Sequence, residues 1–234
     1  MCIRDSLMFD RNTKTITCWR IEGYWKEIKL LLGLPEDAKL LLNPIISEAG
    51  FVAVQVGDKV LLLKRRKLRQ WDLDYEIYLT DHIFSSEEEA EEWVIENYKE
   101  KLKGKLPSLR TRRNAWKGEM LARDFPAVIG GVCMLRVDGY GNLYIAKDSK
   151  IWRLSFSNYL ALYSFIYKAH KLGYEKALKK TRAKPVEIQF DPNNSNLWDV
   201  WRVIERNLEL VAPYIGEENV EKVLEWAVSK ELGR

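Results

Sequence analysis

Apolar and polar positions alternate along "TKTITCWRIE" (13–22), which predicts a strand. The next segment, "YWKEIKLLL" (24–32), has helical spacing and is closed by Gly33 and Pro35. "FVAVQVGDKVLLLKRR" (51–66) reads as a β-hairpin turning at Gly57-Asp58, with glycine first as a type II′ turn prefers. A third strand is expected at about Tyr75–Thr80. Ser85 followed by Glu88 has capping-box spacing, and Ala90, Trp93, Val94, Tyr98 and Leu102 form the buried stripe of the helix that follows. Gly104 ends that helix.

Pro107 then opens "LPSLRTRRNAWKGEM" (106–120), a basic stretch expected to be a loop between halves. The same residues are similar to the opening helix of some nucleases, with Glu119 as the acid, although no later acid-x-Lys strand completes that pattern. A second hairpin, "CMLRVDGYGNLYIAKD" (133–148), turns around Gly139–Asn142, while "VIGGV" reads as a bend in a strand. The strand "IWRLSF" follows, then a helix capped by Ser157 and closed by Gly173. Hairpin, strand and helix thus occur twice, the order expected of a duplicated unit. After Pro185 the strand "VEIQFD" leads to two helices. Their seams are Leu197, Trp201, Ile204, Leu208 and Val211, then Val220, Val223, Leu224, Ala227 and Val228.

This order predicts an α+β fold with mainly antiparallel sheets and a helical-hairpin C-terminus. Residues 1–6 ("MCIRDS") look like a non-native scar. The expected units are 7–106, 107–185 and 186–234, with a homodimer through 197–232 as one use of the helical hairpin.

Composition narrows the chemistry. Lys and Arg number 38 against 34 Asp and Glu, a net charge of +4. No apolar run is long enough to span a bilayer, and no secretory signal is read at the start. The three cysteines, Cys2, Cys18 and Cys133, form no C-x-x-C pair, and only His82 and His170 are present, so neither a disulfide framework nor a Cys/His metal site is expected. A cytoplasmic protein without cofactor fits this composition. Abundant charge with only three glutamines leans towards a thermophile.

The charges are sorted. Lys64, Arg65, Arg66, Lys67 and Arg69 form one basic run beside Trp71. Lys99 to Lys117, including Arg110, Arg112 and Arg113, forms a second, and Lys168 to Lys184 a third. A basic face attracts polyanions more strongly than net charge implies. Side chains alternate along a strand, so Lys64 and Arg66 face one side, Arg65 and Lys67 the other. With Tyr140, Tyr144 and Trp152 on the second hairpin and its neighbour, the pattern suits a non-enzymatic single-strand nucleic-acid binder: cations track phosphates and rings stack on bases. Two three-stranded sheets with open faces, each backed by a helix, would resemble Whirly-like single-strand binders in element order.

Two alternatives remain. Asp72, Asp74 and Glu76 share one face of a strand, and an Asp-x-Asp pair can hold Mg²⁺ for a nuclease or nucleotidyl transferase. It resembles the metal motif of archaeo-eukaryotic primases, but the downstream histidine motif is absent. Otherwise these acids balance the basic run across a neighbouring strand. The second alternative is an adaptor or virus-like structural protein assembling through its C-terminal helices. The sequence contains no phosphate-binding glycine loop, nucleophile elbow or H-E-x-x-H motif.

Overall fold

The structure is a computed structural model that describes residues 7–68 and 75–233. The chain forms two compact units, one up to Arg110 and the other from Thr111. Each is an antiparallel sheet with helices, as the α+β expectation required.

The first unit holds β1 (Met8–Asp10), β2 (Thr15–Cys18), β3 (Lys39–Leu41), β4 (Phe51–Val56), β5 (Lys59–Lys67) and β6 (Tyr75–Phe84). Their order across the sheet is β1-β2-β6-β5-β4-β3. In the β4–β5 turn Gly57 takes φ 59° while Asp58 stays at negative φ, the sign pattern of a type II′ turn. Helix α1 (Trp25–Leu32) covers one face, burying Ile28 and Leu32 against Val52, Val54, Leu63 and Ile77. Helices α2 (Pro44–Glu48), α3 (Glu87–Asn97) and α4 (Lys99–Leu102) cover the other, over Phe51, Ala53, Val60 and Leu62. Helix α3 starts one residue later than expected: Ser86 caps it by accepting from the Glu89 amide, and Glu89 in turn accepts from the Ser85 amide.

Helix α5 (Leu106–Ala122) occupies the stretch expected to be a loop, and runs through the division between the units. Pro107 sits in its first turn, where an amide hydrogen has no intrahelical partner to lose.

The second unit holds β7 (Ala127–Ile129), β8 (Val132–Val137), β9 (Asn142–Lys147), β10 (Lys150–Ser155) and β11 (Pro185–Ile188), in the order β11-β10-β9-β8-β7. "VIGGV" is no bend. Gly130 (φ 61°) and Gly131 (φ 85°) make a two-residue turn between β7 and β8, a conformation that glycine adopts without strain. Both units therefore contain a four-stranded meander, β3 to β6 and β7 to β10, followed by a capped helix. In the second unit that helix is α6 (Tyr159–Leu172), capped by Asn158 rather than Ser157.

α6 and α7 (Tyr174–Leu178) cover one face of this sheet, with Leu162, Phe165, Ile166 and Ala169 packed on Met134, Leu143, Ile145 and Leu154. The C-terminal segment forms three helices rather than two: α8 (Trp198–Arg206), α9 (Leu208–Ile215) and α10 (Glu217–Leu232). They cover the opposite face. Trp201, Ile204, Val211, Ile215, Val223 and Trp226 bury against Cys133, Leu135, Tyr144, Ala146 and Ile151. The seam expected to serve a homodimer is thus spent on the chain's own sheet, and Leu224 and Val228, placed in it from sequence, are exposed.

Covering both faces explains the apolar runs "FVAV", "VLLL" and "VCML". A sheet open on one side alternates, whereas a doubly covered one reads as continuous hydrophobics. The expectation of open binding faces is therefore corrected in both units. No helix among the described residues is long and apolar enough to cross a membrane.

Candidate nucleic-acid interface

The basic run on β5 divides by face, as alternation requires, and its first two members are engaged within the protein. Lys64 extends between aromatic rings, its Nζ 3.8 Å from the Phe51 centroid and 4.9 Å from that of Tyr98. Burial pulls its pKa below the usual lysine value. Arg65 donates from Nη2 to the Ser47 carbonyl at 2.9 Å and lies 4.8 Å from the Tyr75 ring. Arg66 and Lys67 are exposed. Arg66 stands directly across from Glu76 on β6, which suits the charge-balance reading of that acid. Arg69, Trp71, Asp72 and Asp74 lie outside the described residues. Among the described residues no group of three His, Cys, Asp or Glu side chains is placed to hold a metal ion.

The second run lies on helix. Arg110 and Arg112 are exposed on α5, and Arg113 donates from Nε and Nη2 to Asn114 Oδ1 at 3.3 and 3.0 Å.

Of the three aromatics singled out on the second hairpin and its neighbouring strand, one is available. Tyr144 is 5% exposed, and its hydroxyl donates to Asp138 Oδ2 at 3.2 Å. Its pKa rises through burial and the neighbouring Asp138 carboxylate. As a core residue beneath the C-terminal helices it cannot stack on a base, which corrects that expectation. Trp152 is half-buried against the α6 side, with its indole donating to the Lys147 carbonyl at 3.4 Å. Tyr140 is 91% exposed.

The turn carrying Tyr140 is cross-braced by the Asp138 carboxylate. Asp138 accepts from the Tyr140 amide (2.8 Å), the Asn142 amide (3.0 Å) and Asn142 Nδ2 (2.8 Å). These bonds keep its carboxylate below the usual range despite partial burial, which acts the other way. On α6, Tyr159 donates to the Gly139 carbonyl at 2.8 Å and stacks on Tyr163, with centroids 5.9 Å apart and planes inclined by 21°. Behind this pair opens a cleft of about 680 Å³, lined also by Glu119, Arg123, Arg136 and Asp138. Burial first, then Glu119 and Tyr159, raise the Tyr163 pKa, so its phenol stays neutral and able to donate. Arg136 pairs with Asp199 at 3.0 Å and Arg123 reaches Glu119 at 4.0 Å.

The cleft owes its shape to Gly118 on α5. A β-carbon there would lie 1.7 Å from the Tyr163 carbonyl oxygen, so only glycine lets the two helices approach this closely. Sequence reasoning missed Tyr159, although its spacing of four from Tyr163 was visible. Tyr163, Tyr167, His170 and Tyr174 follow one another at helical spacing but do not share one environment: Tyr163 lines the cleft, Tyr174 is core and His170 is exposed.

No protein-family model, curated protein or solved structure matches this chain.

Proposed function

We propose that the protein is a non-enzymatic nucleic-acid-binding protein that prefers single strands. The observation that supports this reading best is Tyr140, an exposed ring on a braced turn, hydrogen-bonded through Gly139 to the Tyr159–Tyr163 stack with Arg123 and Arg136 alongside. Unstacked bases offer flat faces to such rings, whereas duplex bases are already stacked on one another. Exposed cations, Arg66 on β5 and Arg112 on α5 among them, supply the sequence-independent attraction to phosphates. The binding surface of this reading is the turn–helix edge of the second unit, and no longer the face of a sheet.

A gel shift with single-stranded DNA, single-stranded RNA and duplex probes, at two salt concentrations and with or without Mg²⁺, tests it. Salt-sensitive retardation of single strands without cleavage is the expected result. Cleavage that depends on Mg²⁺, or no retardation of any probe, would overturn it.

A further inference from the structure

Tyr159 and Tyr163 occupy one flank of α6. On its other flank, Ser157 just before the helix and Ala161, Ser164 and Lys168 within it line a second cleft of about 550 Å³, closed by the chain that follows α7. Three cations border this cleft: Lys168, Lys180 and Arg182. No carboxylate lines it, and among the described residues none of the three forms an ion pair. The tyrosine cleft differs, since both its arginines have acidic partners.

The hydroxyls point to the same ligand class. Ser164 is only 6% exposed, and its hydroxyl has no hydrogen-bond partner among the described residues. Its oxygen opens onto the cleft and is not sealed in the core, so it is free to donate to a ligand there. Thr181 Oγ1 accepts from the Ala183 amide at 3.4 Å and Ser157 Oγ from Asn158 Nδ2 at 3.3 Å, which leaves each with its O–H to give. The cleft therefore offers donors and positive charge and asks for an acceptor-rich anion. A carboxylate has two oxygens. A terminal phosphate has three and carries up to two charges, which matches this set of donors better. Phe156 and Phe165, 5.3 Å apart, form an apolar wall in a space larger than a bare phosphate fills.

We propose that this cleft binds the terminal phosphate of an organic phosphate monoester, with Arg182, Lys168 and Lys180 neutralising the charge and Ser164 donating at the wall. The inference does not depend on the tyrosine cleft. A free nucleotide and the 5′ end of a phosphorylated strand both present this group.

Calorimetric titration of the full chain at low salt tests the proposal with inorganic phosphate, AMP, adenosine and acetate, and with one oligonucleotide in 5′-phosphorylated and 5′-hydroxyl forms. Phosphate and AMP are expected to bind and adenosine and acetate not to. The 5′-phosphate should add affinity to the strand only if a strand end can reach the cleft, so that comparison separates the two sources. Lys168→Ala with Arg182→Ala should weaken AMP binding at least about tenfold, since each charge-assisted bond is worth that much. Ser164→Ala should weaken it several-fold while leaving the melting temperature unchanged, because its hydroxyl has no internal partner. Tyr140→Ala should leave AMP binding intact even if it abolishes strand binding. Absence of binding by phosphate, AMP and the phosphorylated strand overturns the proposal. So does wild-type AMP affinity in the double variant, or acetate binding as well as phosphate.

Discussion

Lys64 holds its ammonium 3.8 Å from the centre of the Phe51 ring, so the first cation of the most basic run in the chain faces an aromatic wall. A cation in that position contributes about 0.5–2 kcal/mol of attraction, and its stem covers apolar surface. Lys64→Ala should therefore lower stability by about 1–2 kcal/mol in denaturant melts and leave the salt dependence of nucleic-acid binding unchanged. Arg66→Ala should do the reverse, with wild-type stability and, where Arg66 meets a phosphate, a log-affinity versus log-salt slope flatter by about 0.7. A flattened slope in the Lys64 variant would show that this side chain leaves the rings to meet phosphates.

Gly118 lies within a helix, where alanine is ordinarily favoured by about 1 kcal/mol. Here the sign should invert. The new methyl group would meet the Tyr163 carbonyl oxygen at 1.7 Å, and backbone cannot yield as a flexible side chain does. Gly118→Ala is expected to destabilise the protein by about 1–3 kcal/mol and to disturb the Tyr159–Tyr163 pair, read as a lower melting temperature and altered tyrosine fluorescence. A gain in stability would mean that α5 and α6 are further apart than described.

Alkaline pH should destabilise the second unit through two core groups. Burial pushes the Tyr174 phenol from 10.0 up to about 12 and the Cys133 thiol from 9.0 up to about 11. In both cases the folded value lies above the unfolded one. Their contribution is complete below the unfolded pKa and is lost as pH rises through the folded one, because the unfolded chain ionises first. Each group makes stability fall by up to about 1.4 kcal/mol per pH unit within its own window. Tyr174→Phe should remove the part of this slope between pH 10 and 12. Denaturant melts from pH 8 to pH 12 check it, and an unchanged slope in the variant would contradict the assignment.

The antiparallel hairpins, the α1 stop at Gly33 and the cap regions of α3 and α6 were legible because each depends on a few neighbouring residues. The caps themselves fell one residue late, on Ser86 and Asn158, since each site offers two adjacent capping residues, Ser85–Ser86 and Ser157–Asn158, that compete for the same position. Pro107 misled because proline both breaks helices and opens them, and only the unbroken helical backbone after it decides which. Open sheet faces were expected even though "FVAV" and "VCML" do not alternate. That missing alternation was the available sign that helices cover both faces.

The site was less legible. Tyr140 stood out as a turn aromatic and remains exposed, but Tyr144, two positions into the next strand, turns inward. The tyrosine cleft depends on the approach of α5 to α6 at Gly118, a contact 45 positions apart that no local pattern announces. The cationic cleft joins Lys168 to Lys180 and Arg182 across α7. The sequence showed those residues as a charge block without showing that they border a cavity.

The most direct test of nucleic-acid binding through the turn–helix edge is fluorescence anisotropy of a labelled single-stranded oligonucleotide titrated with wild type and with Tyr140→Ala, alongside the same sequence as a duplex. Tyr140 is 91% exposed, so its replacement should not disturb the fold. The account predicts tighter binding of the single strand than of the duplex, a loss of about 1–3 kcal/mol for the single strand in the variant, little change for the duplex, and an unaltered salt slope. Equal affinity of wild type and variant for the single strand, or a preference for duplex, would contradict it.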